Sequence, residues 1–168
     1  YTSYACECGD SYETNYTPAF GHNFDDGWVC VNCGSNYYTD GLEFSLNANE
    51  DSYVVVGYSG EANEVIIPYV YNDKPVVSIA DSAFYCNLNI TKVLLPEGLL
   101  SIERMAFFGC EGLEEINIPN TVTSLGVGAF RVCRSLTKVE IPNSITNIGS
   151  SCFDDCNNLK EIIIGTGI

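Results

Sequence analysis

Cys30-Val31-Asn32-Cys33-Gly34 has the two-residue spacing that brings two thiolates onto one tetrahedral ion, with Gly34 letting the backbone turn beneath it. Upstream lie the Cys6-Glu7-Cys8 pair and His22, the single histidine of the chain. Thiolate and imidazole ligands suit zinc, and a module spanning residues 1–38 has little apolar core of its own to replace a metal. We read Cys8, His22, Cys30 and Cys33 as the ligands of one structural zinc, with Cys6 as the substitute if His22 stays out. In an exported chain the same thiols have the alternative of two disulfides. A catalytic zinc needs an open position with a water and a neighbouring acid or base, whereas Glu7 and Asp10 read as solvated turn residues. With its histidine assigned to the metal, the chain has no base beside a nucleophile. The carboxylate pairs Glu114-Glu115 and Asp154-Asp155 each fall in a repeat slot or turn. The chain is therefore not expected to be an enzyme.

The elements that must carry such a module are written in a sentence repeated every 23 residues from Pro96 to Ile164. Pro96, Pro119 and Pro142 each open a copy, followed at constant offsets by Leu99/Val122/Ile145 and Ile102/Leu125/Ile148. Then come Ala106-Phe107, Ala129-Phe130 and Cys152-Phe153, and after them Cys110, Cys133 and Cys156. Each copy closes on an alternating pair: Ile116 and Ile118, Val139 and Ile141, Ile162 and Ile164. A unit this short cannot bury its own apolar face, so it stacks on a neighbour that presents the same positions one layer along. The closing pair has the period of two of a short strand with one buried face. Strands recurring once per copy must run parallel, which requires a crossover rather than a hairpin. Proline after each strand stops it, and the small residues around Gly126 and Gly149 permit a tight return.

Phe84, Phe107, Phe130 and Phe153 are expected to fill the middle of successive rungs, with Cys110, Cys133 and Cys156 as a second buried column of reduced thiols. Cys86 stands one place before its counterparts, and Asn87 holds the aligned position. Ahead of the repeats, Leu42–Leu46 and Tyr53–Tyr58 alternate about the turn 47–51 and read as a β-hairpin capping the solenoid, with Val65-Ile66-Ile67 as the first rung strand. Pro68 to Pro96 is 28 residues, and the excess lies around Tyr69–Lys74.

The motif Ala106-Phe107-Phe108-Gly109-Cys110-Glu111-Gly112-Leu113-Glu114-Glu115-Ile116-Asn117-Ile118-Pro119 resembles the BspA-type leucine-rich repeat of bacterial and protozoan surface proteins. The resemblance covers roughly residues 42–168. The opening segment, with Gly21-His22-Asn23-Phe24, resembles the short Cys-x-x-Cys-Gly modules that accompany such repeats in surface proteins of Gram-positive gut-type bacteria. The fold expected is an α/β repeat solenoid: a leucine-rich repeat horseshoe with a parallel β-sheet of short strands, one per repeat, and short helical or irregular returns. An N-terminal β-hairpin cap and a small zinc-ribbon-like module complete it. Residues 1–38 form the Cys/His module and 39–168 the repeat domain, with 39–73 as cap and first strand and 74–168 as the repeats. What the resemblance implies is a non-catalytic, secreted or cell-surface module for protein interaction and adhesion. The alternative is a structural spacer, or a substrate-targeting appendage of a larger surface protein or exported enzyme.

Charge narrows the partners. Seven Lys and Arg against 22 Asp and Glu give a net charge of −15, which repels nucleic acid and anionic membranes. Nowhere do the ~18 apolar residues of a membrane span run together. Tyr1 does not open a signal peptide, so the chain is expected to belong to something longer, with further repeats beyond the C-terminus. Along the outward face of the strands, Glu64, Lys92, Glu115, Lys138 and Glu161 alternate in sign, which reads as support for register. The neighbouring file, Ile66, Leu94, Asn117, Glu140 and Ile163, starts apolar. With Tyr69 and Tyr71 beside them, Ile66 and Leu94 are the candidate contact for a protein or cell-surface ligand.

Overall fold

In the computed structural model, residues 38–166 are described, together with the short antiparallel strands β1 (Tyr4–Ala5) and β2 (Ser11–Tyr12). The alternating Ile-x-Ile segments form one file of parallel strands: β5 (Glu64–Ile66), β8 (Lys92–Leu94), β10 (Glu115–Ile116), β12 (Lys138–Ile141) and β14 (Glu161–Ile164). A second file, not foreseen, runs along the return: β7 (Lys74–Ile79), β9 (Ser101–Ile102), β11 (Ser124–Leu125) and β13 (Asn147–Ile148), also parallel. The hairpin of β3 (Leu42–Leu46) and β4 (Tyr53–Tyr58) takes the end of this second file, β4 pairing parallel with β7. The residues in excess of the repeat form the two-stranded β6 (Val70–Tyr71) and β7 turn, with Asn72 and Asp73 both at positive φ as a tight hairpin requires.

The architecture is thus a β-solenoid with two strands per rung, and among the described residues it has no helix. The helical part of the α/β expectation is corrected, and the hydrogen bonds say why. In the return, the N–H groups of Phe84, Phe107 and Phe130 donate along the solenoid axis to the carbonyls of Ala106, Ala129 and Cys152 in the next rung, at 2.8, 2.8 and 2.9 Å. Donors spent between rungs are not available to a helix. Two left-handed residues also bracket each Phe: Ser82, Met105, Gly128 and Ser151 before it, and Cys86, Gly109, Val132 and Asp155 after it, with φ between 54° and 71°. A left-handed residue every four positions stops a right-handed helix from propagating. It also accounts for Cys86, which belongs to this file and not to the buried thiol column.

Val132 is the costliest occupant, since a β-branched residue in the left-handed region costs about 1–2 kcal/mol. The preceding rung has Gly109 at that place. Val132→Gly is expected to raise stability by roughly 0.5–1 kcal/mol, the relief of strain less the extra chain entropy of glycine. A urea midpoint unchanged or lowered would show that the half-buried Val132 side chain outweighs its backbone.

Inside the rungs, Phe84, Phe107, Phe130 and Phe153 stack with centroids 4.9, 5.4 and 5.5 Å apart and planes within 10° of parallel. Tyr58 continues the column from the hairpin, 5.7 Å from Phe84. Beside it, the thiols of Cys110, Cys133 and Cys156 are buried and donate to the carbonyls of Phe84, Phe107 and Phe130 at 3.0, 3.2 and 3.0 Å. All three are free thiols, as is buried Cys152, which takes the place of Ala106 and Ala129, whereas Cys86 is exposed. Close approach of rungs is set at Gly126, where a Cβ would lie 2.4 Å from the backbone nitrogen of Arg104.

Candidate functional site

The period-two alternation buries Val65, Val93, Ile116 and Val139 and turns Glu64, Lys92, Glu115, Lys138 and Glu161 outward. Strand register sets Lys92 opposite both Glu64 and Glu115, and Lys138 opposite Glu161. Lys92 Nζ pairs with Glu115 at 3.0 Å. Lys138 does not complete the file in the expected way: its Nζ turns along its own strand to Glu140, at 2.7 Å. The Glu140 hydrogen bond and charge, with a smaller contribution from Glu161, raise the Lys138 pKa above the ordinary ammonium value.

The reason lies in the backbone. β10 pairs with β8 and β12 pairs with β14, but no pairing joins β10 to β12. At this break Asn117 turns back to β8: Leu95 N–H donates to Asn117 Oδ1 at 3.0 Å, and Asn117 Nδ2 donates to the Leu95 carbonyl at 3.1 Å. A side-chain amide thus prolongs the ladder where strand pairing has ended. Over the break lies an open groove of about 720 Å³ whose charged lining is Glu64, Lys92, Glu114, Glu115, Lys138 and Glu140. Its remaining lining comes from Thr91, Thr137, Ile116, Asn117 and Ile118.

Of the four residues expected to form an apolar contact, Ile66 and Leu94 stand opposite each other on β5 and β8, but they do not make one exposed patch with Tyr69 and Tyr71. Ile66 is 1 % exposed, a correction to the expectation of an outward position. Thr39 closes the free edge of β5 over it, taking the Ile66 N–H on its Oγ1 at 2.8 Å and donating its own N–H to the Ile66 carbonyl at 3.1 Å. Tyr71 stacks on Phe44 at 4.0 Å and meets Tyr38 and Tyr53 edge-on, within the packing under the hairpin. Leu94 is half-buried. Tyr69 is exposed and lies over Gly98, where a Cβ would come within 2.7 Å of its ring.

The proposed metal ligands Cys6, Cys8, His22, Cys30 and Cys33 lie outside the described residues. Of the carboxylate pairs, Asp154 and Asp155 face Arg131 at 3.0 and 4.0 Å. Arg104–Asp81 at 2.9 Å and Arg134–Glu111 at 2.6 Å repeat the arrangement elsewhere. Asp81–Arg104, Glu111–Arg134 and Arg131–Asp154 each join residues 23 apart. That offset was a signal in the sequence from which each could have been found. Among the described residues, no helix is long and apolar enough to cross a membrane.

The family model for the BspA type leucine rich repeat region matches residues 77–168, in six copies. Among solved structures, a leucine rich repeat protein of T. pallidum is 28% identical, over 74% of this chain and 69% of that one, with a TM-score of 0.60. The pneumococcal vaccine antigen PcpA is 26% identical over 77% of this chain, which spans 30% of PcpA, with a TM-score of 0.68. A leucine-rich repeat protein from Bacteroides capillosus shares the fold at 23% identity, over 75% of this chain and 95% of that one, with a TM-score of 0.68. No curated protein matches the chain. Leucine-rich repeats are generally non-catalytic surfaces for binding proteins, and with its period, its Phe and Cys columns and its match over 77–168, this chain belongs to the BspA-type leucine-rich repeat family.

Proposed function

We propose that this chain is a non-catalytic adhesion module of a secreted or cell-surface protein and that it binds a partner protein through its parallel sheet face. The observation that carries this reading is the charged groove at the β10–β12 break, an open recess on a scaffold whose every rung is tied to the next. The likeness to PcpA, described as a vaccine antigen, supports exposure at a surface. The reading is tested by displaying the chain on a non-adherent cell and measuring attachment to surfaces coated with extracellular-matrix proteins. Attachment that is lost in Glu64→Lys/Glu114→Lys, with the circular dichroism spectrum unchanged, supports it. Attachment equal to that of cells without the chain, on every coating, overturns it.

The N-terminal module belongs to the same proposal: Cys8, His22, Cys30 and Cys33, with Cys6 in reserve, hold one structural zinc, a reading that rests on residue type and spacing alone. Metal analysis of native protein is expected to find one zinc per chain. No metal, with four fewer free thiols than the nine cysteines, would replace it by two disulfides.

A further inference from the structure

We propose that the groove at the β10–β12 break receives an extended segment of a partner protein carrying two Lys or Arg side chains about three residues apart. This rests on the interaction reading above and names the chemistry of the partner.

The groove's charges do not balance. Four carboxylates, Glu64, Glu114, Glu115 and Glu140, face two ammonium groups, Lys92 and Lys138, an excess of two negative charges. Both lysines are already held, Lys92 by Glu115 at 3.0 Å and Lys138 by Glu140 at 2.7 Å. Among the described residues, neither Glu64 nor Glu114 has an ion-pair partner. Within a chain of net charge −15, an anionic partner meets repulsion at long range and at contact, while a cationic one is drawn in and gains charge-assisted hydrogen bonds.

The backbone adds shape. β10 and β12 do not pair, and the recess over that break is open along the sheet face. A volume of about 720 Å³ falls in the range of pockets that bury a drug-sized ligand, so it takes a few side chains and not a globular face. Glu64 on β5 and Glu114, just ahead of β10, stand two inter-strand steps apart, ~10 Å, which a chain extended as a polyproline-II helix covers in about three residues with both side chains on one face. That distance sets the spacing of the two cations.

The test uses three labelled twelve-residue peptides in Gly/Ser background, with Arg, Glu or Gln at positions i and i+3, titrated against the intact chain. The Arg peptide is expected to bind saturably at one site and to weaken at least tenfold between 50 and 500 mM salt. It should bind about tenfold more weakly to Glu64→Gln/Glu114→Gln. Asp73→Asn, in the β6–β7 turn outside the groove lining, should stay within twofold of the parent. Equal weakening by Asp73→Asn would show diffuse attraction to an acidic protein and overturn the proposal. So would equal binding of the Glu or Gln peptide, or parental affinity in the double variant. Should the Arg peptide fail to bind while Glu64→Lys/Glu114→Lys still abolishes attachment, the groove proposal falls and the interaction reading stands. Loss of both results removes both.

Discussion

Phe107→Ala is expected to destabilise the solenoid by about 3–5 kcal/mol, a large part of the ~5–15 kcal/mol that holds a typical domain. Phe107 is fully buried between two parallel rings, Phe84 at 4.9 Å and Phe130 at 5.4 Å. Truncation opens a void that the flanking rungs cannot close, because their spacing is set by the hydrogen bonds of Phe84 and Phe107 to Ala106 and Ala129. Each rung contacts mainly its neighbours, so stability is a sum of rung and interface terms, and this substitution weakens two interfaces at once. Urea unfolding followed by circular dichroism should show a lower midpoint and a broadened transition as the rungs on either side decouple. Phe108→Ala is the control. Phe108 is half-buried and stacks on exposed Tyr85 at 4.9 Å, and its loss is expected to cost under about 1.5 kcal/mol. Equal effects of the two substitutions would show that the inner column is not the main support of the fold.

That column was readable before any coordinates because stacking forces the same buried residue into the same slot of every rung. The strands of the first file were readable for a related reason: buried and exposed positions alternate in Lys138–Ile141. The second file was not, since Ser101–Ile102, Ser124–Leu125 and Asn147–Ile148 are two residues long, too short for alternation to register. The returns misled for a different reason. Their left-handed positions are filled by Ser, Met, Cys, Val and Asp as well as Gly, so the turn residues that announce such a conformation are mostly missing. At the candidate site, the alternating charges could be read from spacing, but the groove could not. It depends on the missing pairing between β10 and β12, and nothing in the composition of Asn117 says that its amide will turn to Leu95. Ile66 shows the same limit: the free edge of its strand is closed by Thr39, 27 residues away.

Raising the pH should unfold this protein earlier than its tyrosine and lysine content alone would suggest, because the repeat thiols are held neutral. Burial pushes Cys110 and Cys152 from an ordinary 9.0 up to about 12, and pushes Cys133 and Cys156 up as well. A thiol is neutral when protonated, so below pH ~9 both folded and unfolded chains keep the proton and the thiols contribute no pH dependence. Between pH ~9 and ~12 the unfolded chain releases protons that the native chain retains, and stability falls by about 1.4 kcal/mol per unit for each such thiol. For Cys110, Cys133 and Cys152 together that is on the order of 4 kcal/mol by pH ~10. Burial also raises Tyr38 and Tyr58, which steepens the loss in the same direction above their ordinary 10.0. The decisive variant is Cys152→Ala, since Ala106 and Ala129 fill that slot in the two preceding rungs and the packing tolerates the smaller residue. In reducing buffer it should match the parent within about 1 kcal/mol at pH 7 and then lose stability more slowly, by about 1.4 kcal/mol less per unit across pH 9–11. An unchanged slope would mean that water reaches Cys152 in the folded chain, and that the rungs open at this position well below the free energy of global unfolding.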